Sequence, residues 1–151
     1  DSPAGIEKGA ALAMYFADRA VVVVNPEVSS VRDSDRILGL LASKTRRAEI
    51  GEGEVTAYLL LTRYSPQRVE NGEMLSITDV EEVLGLKTIG VVPESGDVLN
   101  ASNKGEPVIM DAESNAGQAY DDAVARLLGE QRPMRFTHLE KKGFFSKLFG
   151  G

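Results

Sequence analysis

The chain has 151 residues, 42% of them hydrophobic and 26% charged, proportions that fit one compact globular domain. With 17 basic against 23 acidic residues its net charge is -6, which argues against a broad nucleic-acid surface built on phosphate neutralisation. It contains no cysteine, which excludes disulfides, thiolate metal sites, cysteine nucleophiles and iron–sulfur ligation.

Asp1-Ser2-Pro3-Ala4-Gly5 opens the sequence as a turn with no strand before it and reads as the start of a fragment. Gly9 to Ala17 follows as an amphipathic helix, and Val21 to Val24 as a β-branched run stopped by Asn25-Pro26, the pattern of a strand buried on both faces. A second helix is expected from Val31 to about Ala48, with Ser30 and Asp33 as a shortened capping box, and Ile50 to Val55 is a loop. Tyr58 to Thr62 and Thr88 to Val92 are short apolar strands, the latter ended by Pro93, although the leucines of the first are equally compatible with a helix. Between them lies a helix from Ile77 to Leu84, with Thr78 and Glu81 in capping-box spacing. The last long helix runs from Gly117 to Leu128, where Tyr120, Val124, Leu127 and Leu128 recur at helical spacing and Gly129 is a stop. Strands alternating with helices predict an α/β fold, a parallel sheet flanked by helices. The body spans residues 1–130, a polar linker 131–140, and a separate tail 141–151.

Three clusters carry candidate chemistry. Asp1 and Gly5 combine a carboxylate able to hold magnesium through water with a small-residue turn whose backbone can reach a terminal phosphate. The same five residues also read as an ordinary turn. Thr62-Arg63-Tyr64 and Pro93-Glu94 each follow a predicted strand, where open parallel sheets bind ligands, and an arginine plane with a proline ring can clamp a flat base. The plainer alternative is a surface arginine and a strand-ending proline. The segment from Asn25 to Arg36 packs both charge signs around a helix start, either a contact surface or a solvated face.

The tail is the most specific feature. Phe144, Phe145, Leu148 and Phe149 fall on one face of a helix, leaving Lys141, Lys142 and Lys147 for anionic lipid headgroups. Four such side chains transfer roughly 6 to 12 kcal/mol at most, and ordering the helix offsets much of that, so one tail binds marginally and two linked tails bind far better. Docking of the phenylalanines on the domain is the competing reading. No run approaches the roughly 18 apolar residues of a spanning helix and no leader is present, so the chain is expected neither to span a membrane nor to be secreted. His138 is the single histidine and is assigned no role.

Asp1-Ser2-Pro3-Ala4-Gly5-Ile6-Glu7, the run from Asn25 to Asp35, Leu61-Thr62-Arg63-Tyr64, Gly105-Glu106-Pro107-Val108 and the closing segment from Lys141 to Gly151 together resemble the MinD family of deviant-Walker P-loop ATPases over essentially the whole chain. The resemblance implies the P-loop NTPase fold, cut before its Walker A strand, and a C-terminal amphipathic membrane-targeting helix. It implies ATP and Mg2+ as cofactors, an ATP-dependent homodimer, attachment to the cytoplasmic face of the bacterial inner membrane, recruitment of the division inhibitor MinC, and hydrolysis stimulated by MinE. Asp1 matches the magnesium-holding aspartate and Gly5 the turn that senses the terminal phosphate. Arg63, Pro93 and Glu94 fall where relatives hold adenine. Glu27 and Asp33 match acids near the dimer face, and Ser29, Arg32, Asp35 and Leu38 the helix surface for MinE and MinC. Ser95 stands where many relatives have an aspartate, and Ser146 thins the charge of the tail. The glycine-rich loop would lie upstream of Asp1, so this chain alone is expected to be inactive and poorly stable, with one side of its sheet uncovered. A related chromosome-partition or flagellar-number ATPase is the alternative enzyme. A non-catalytic, membrane-tethered interaction module is the alternative for this chain by itself.

Overall fold

The computed structural model describes residues 8–138; Asp1, Gly5 and the expected membrane segment 141–151 lie outside the described residues. Strands β1 (Arg19–Val24), β2 (Thr56–Tyr64) and β3 (Thr88–Pro93) lie side by side in that order, with both pairings parallel. Parallel neighbours require crossovers. The first carries helices α2 (Val28–Ser43) and α3 (Arg46–Glu49), the second α4 (Pro66–Glu70) and α5 (Ile77–Leu84). Helix α1 (Lys8–Tyr15) precedes the sheet, while α6 (Gly96–Lys104), a 3-10 turn at Val108–Met110 and α7 (Asn115–Leu127) follow it. The expected parallel sheet flanked by helices is therefore present. No helix among the described residues is long and apolar enough to cross a membrane.

Alternation along each strand divides the core between two faces. Val22, Val24, Leu59, Leu61 and Val91 pack with Val31 of α2 and Val80 and Leu84 of α5, while Leu60 and Val92 pack with Ala116, Ala119 and Ala123 of α7. Because β2 is central, its Leu59-Leu60-Leu61 run is buried on both faces, which settles that run as strand. β1 departs from expectation: Val22 and Val24 are buried, but Val21 is 40% and Val23 57% exposed. Among the described residues β1 pairs only with β2, and no helix buries its Val21 and Val23.

Helix boundaries follow local hydrogen bonding more than periodicity. The single helix expected from Val31 to Ala48 breaks at Thr45, whose extended backbone starts α3 and whose hydroxyl both accepts from the Ala48 N–H and donates to the Leu41 carbonyl. Ser30 and Asp33 form no capping box, since α2 already begins after Glu27, and Asp33 instead pairs with Arg36 at 3.5 Å. In α5 the box sits two residues earlier than Thr78–Glu81. Ser76 accepts from the Asp79 N–H, Asp79 accepts from the Ser76 N–H and hydroxyl, and Glu81 reaches past the helix to the Thr88 N–H at 2.9 Å. The Ser76 side chain, then its backbone, holds the Asp79 carboxyl below the usual carboxylate range. That contribution is present above the unfolded pKa and is lost as pH falls through the lower folded one. Ser76→Ala is expected to move the Asp79 titration upward toward the ordinary value when followed by NMR, and identical titration curves would show that the box does not hold the carboxylate.

Residues 131–136, expected as a linker without period, run back along α7. The Arg126 guanidinium donates to the carbonyls of Arg132 (3.1 Å), Pro133 (2.6 Å) and Ile89 of β3 (2.7 Å). Arg135 donates to the buried Asp122 at 2.7 Å and to the Gln118 side chain at 2.7 Å, and Phe136 packs on the core beneath α7.

Candidate functional site

In a parallel sheet every strand ends at the same edge, and here that edge gathers Asn25, Thr62-Arg63 and Pro93-Glu94. The ends are laced together. The Thr62 hydroxyl donates to Asn25 Oδ1 at 3.0 Å, joining β1 to β2, and the Glu94 N–H donates to the Tyr64 carbonyl at 2.9 Å, joining β2 to β3.

β2 carries a register shift here, because Leu61 pairs with Val91 but Tyr64 with Pro93, so that Thr62 and Arg63 oppose Val92 alone. The surplus is absorbed at Arg63, whose φ of 56° is left-handed, a conformation that costs a non-glycine residue about 1 to 2 kcal/mol. The bulge lets Tyr64 return to the core, where burial raises its phenol pKa, and leaves Arg63 exposed. Arg63 Nη2 lies 3.5 Å from Glu94 Oε1, with the two side chains 66% and 48% exposed. A pair this open contributes about 0 to 1 kcal/mol, so a ligand can displace it at small cost. Arg63, Pro93 and Glu94, expected as a base-holding group, are thus brought together: two exposed charged side chains on a strained backbone, beside a half-buried proline ring.

Behind this edge, Ser95 starts α6 by accepting from the Asp97 N–H, and Asp97 accepts from the hydroxyl of Ser114, the residue that caps α7 through the Gly117 N–H. This brace was not anticipated. Its sequence signal was Ser95-Gly96-Asp97, a capping serine before an acidic first turn.

The second group lies on α2. Glu27 stands exposed at the helix start, and Ser29, Arg32, Asp33 and Asp35 occupy the solvent arc opposite the buried Val31, Ser34 and Leu41. Leu38 lies apart from them, half-buried against the core. Glu27, Ser29 and Asp33 also line a groove of about 1040 Å³ whose other walls are Ala13 and Met14 of α1 and Val21 and Val23 of β1. Among the described residues no three His, Cys, Asp or Glu side chains converge as a metal site.

No family model matches the chain. It is 64% identical over 151 residues to the septum site-determining protein MinD of Escherichia coli strain K12, a match that takes in all of this chain and 56% of that protein. The chain thus spans about half the length of the curated relatives it matches. Among solved structures, the MinD cell division protein of Aquifex aeolicus superposes with a TM-score of 0.79 at 41% identity, covering 89% of this chain and 54% of that one. A MinC:MinD cell division protein complex from the same organism gives 0.78 at 40% identity, covering 91% and 53%. MinD from Pyrococcus horikoshii complexed with Mg-ADP, at 23% identity, shares the fold, with a TM-score of 0.66 over 85% of this chain and 50% of that one.

Proposed function

Because this chain belongs to the MinD septum site-determining proteins, which it matches along its whole length, we propose that it is the carboxyl part of a P-loop ATPase that regulates where a bacterial cell divides. The observation that carries this reading is the 64% identity over all 151 residues. The convergence of Arg63, Pro93 and Glu94 at the carboxyl edge of the sheet supports it.

In this reading the Arg63 guanidinium leaves Glu94 and covers one face of the adenine while the Pro93 ring backs the other, and Glu94 remains free to accept from the exocyclic amine. Bound ATP with Mg2+ supplies the terminal phosphate whose loss ends the active state. Asp1 and Gly5 serve the metal and phosphate end. Glu27 and Asp33 face a second copy of the protein across the groove beside β1, so that nucleotide occupancy sets dimerisation. The exposed arc of Ser29, Arg32 and Asp35, with Leu38 supporting the helix from beneath, takes MinC and MinE in turn; the existence of a MinC:MinD complex from Aquifex aeolicus supports the first. MinE accelerates hydrolysis and so returns the protein to the single-copy form.

Lys141, Lys142 and Lys147 with Phe144, Phe145, Leu148 and Phe149 hold the dimer to the cytoplasmic face of the inner membrane, peripherally, because two weak tails act as one strong anchor. The test is vesicle co-sedimentation of the parent-length protein, with ATP or ADP, beside a version ending at Glu140. We expect pelleting that needs ATP and is lost on truncation. Equal pelleting of both forms would sink the membrane part of the proposal.

A further inference from the structure

The segment from Gln131 to Phe136 is held more tightly than a spacer needs to be. Arg126 grips two of its carbonyls and, with the same guanidinium, the Ile89 carbonyl of β3, so a single side chain ties the sheet to the strap. Asp122, 3% exposed within α7, takes Arg135 at 2.7 Å and Arg132 at 3.5 Å. Phe136 adopts a left-handed φ of 61°, packs on the core, and lies 5.4 Å from the Arg135 guanidinium across its ring. A bulky residue keeps such a backbone only where its surroundings fix it.

The direction of the strap is informative. Arg126 reaches Ile89 while Ala123 sits over Gly90, so α7 runs antiparallel to β3. Arg132 contacts Asp121 and Asp122, and Arg135 contacts Gln118, so the strap in turn runs antiparallel to α7. The chain is thereby carried back toward the sheet edge that holds Arg63 and Glu94.

We propose that the docked strap fixes the point from which the C-terminal tail departs, with Arg126 and Arg135 as positioning residues that set how strongly two tails together hold a membrane. This rests on the membrane reading given above. The physical argument is one of free length. With the strap docked, roughly four residues separate a fixed root from the basic, phenylalanine-rich segment; with it released, roughly ten do. With the second site within reach of the docked linker, the effective concentration falls roughly as the −3/2 power of that length, so release weakens the second insertion about fourfold. The first insertion is unaffected, because the tail itself is unchanged.

The experiment uses parent-length protein and phosphatidylglycerol–phosphatidylethanolamine vesicles, titrated with ATP and with ADP. One variant replaces residues 131–136 by glycine and serine and carries Asp122→Asn, so that no buried carboxylate is orphaned. A second carries Arg135→Gln alone, with hydrogen exchange at 131–136 as its measure of release. We expect about fourfold weaker binding in ATP and no change in ADP for the first, and a smaller loss in ATP for the second that follows its exchange rate. Removing the glycine–serine span, so that roughly four residues again stand free before the tail, should restore the ATP affinity, which a merely structural defect would not do. Unchanged ATP binding on release, or no recovery on shortening, overturns the proposal. ATP-independent binding by the unaltered protein overturns the membrane reading instead, and is visible before any variant is made.

Discussion

Gly117→Ala is expected to destabilise the parent-length protein by about 3 kcal/mol, at the upper end of what one added methyl costs in a packed site. A Cβ on Gly117 would lie 2.6 Å from both the Val108 and the Asp111 carbonyl oxygens. Neither oxygen can retreat cheaply, because the first accepts from the Asp111 N–H and the second from the Ser114 N–H within a tight turn. The damage should spread, since Ser114 also holds Asp97 at the start of α6 and the candidate base site lies just before it. Gly96→Ala is the control: nothing lies within 4 Å of its added methyl, and a change within about 0.5 kcal/mol is expected. Denaturant midpoints at constant m-value decide between them. Equal losses at the two positions would mean that the close approach of α7 to the 3-10 turn does not limit stability.

Arg63→Gly should separate binding from stability. Losing a guanidinium stacked on a base costs about 1.4 kcal/mol, a tenfold weaker nucleotide affinity. Stability should hold or rise by about 1 kcal/mol, because glycine removes the left-handed strain while the exposed pair with Glu94 contributes little. Arg63→Ala should match the affinity loss without the gain, since alanine is strained at the same φ. Calorimetric titration of the parent-length protein with ATP, beside chemical unfolding, gives both quantities. Full affinity in the glycine variant would show that the Arg63 side chain does not touch the base.

The strands were legible because burial on a sheet selects β-branched and leucine runs, and a proline ended two of them, after Val24 and at Pro93. Helices α4 and α6 escaped because they are short and present no apolar stripe long enough to count; Ser65-Pro66 and Ser95, each a side-chain cap, were the available signs. The capping box of α5 was misplaced because Thr78–Glu81 and Ser76–Asp79 share one spacing, and tertiary structure assigns Glu81 elsewhere. At the site, the residue types at the strand ends were readable, but the bulge was not. Nothing in Thr62-Arg63-Tyr64 announces that β3 will supply one residue where β2 supplies two. The strap was unreadable for a different reason. Arg126 holds it largely by its backbone carbonyls, which every sequence possesses, so no hydrophobic period marks it.

β1 gives the fold a built-in gauge. Its amides on the β2 side are paired, whereas among the described residues its outer edge pairs with no strand and the valines at 21 and 23 stay exposed. Exchange of its backbone hydrogens with solvent should therefore run far ahead of that in β2, and by an amount that depends only on what lies against that edge. Slowed exchange confined to Arg19–Val24 would register arrival of a neighbouring strand or a second copy while β2 and β3 stayed constant, making a strand with no chemistry of its own the place to watch assembly happen.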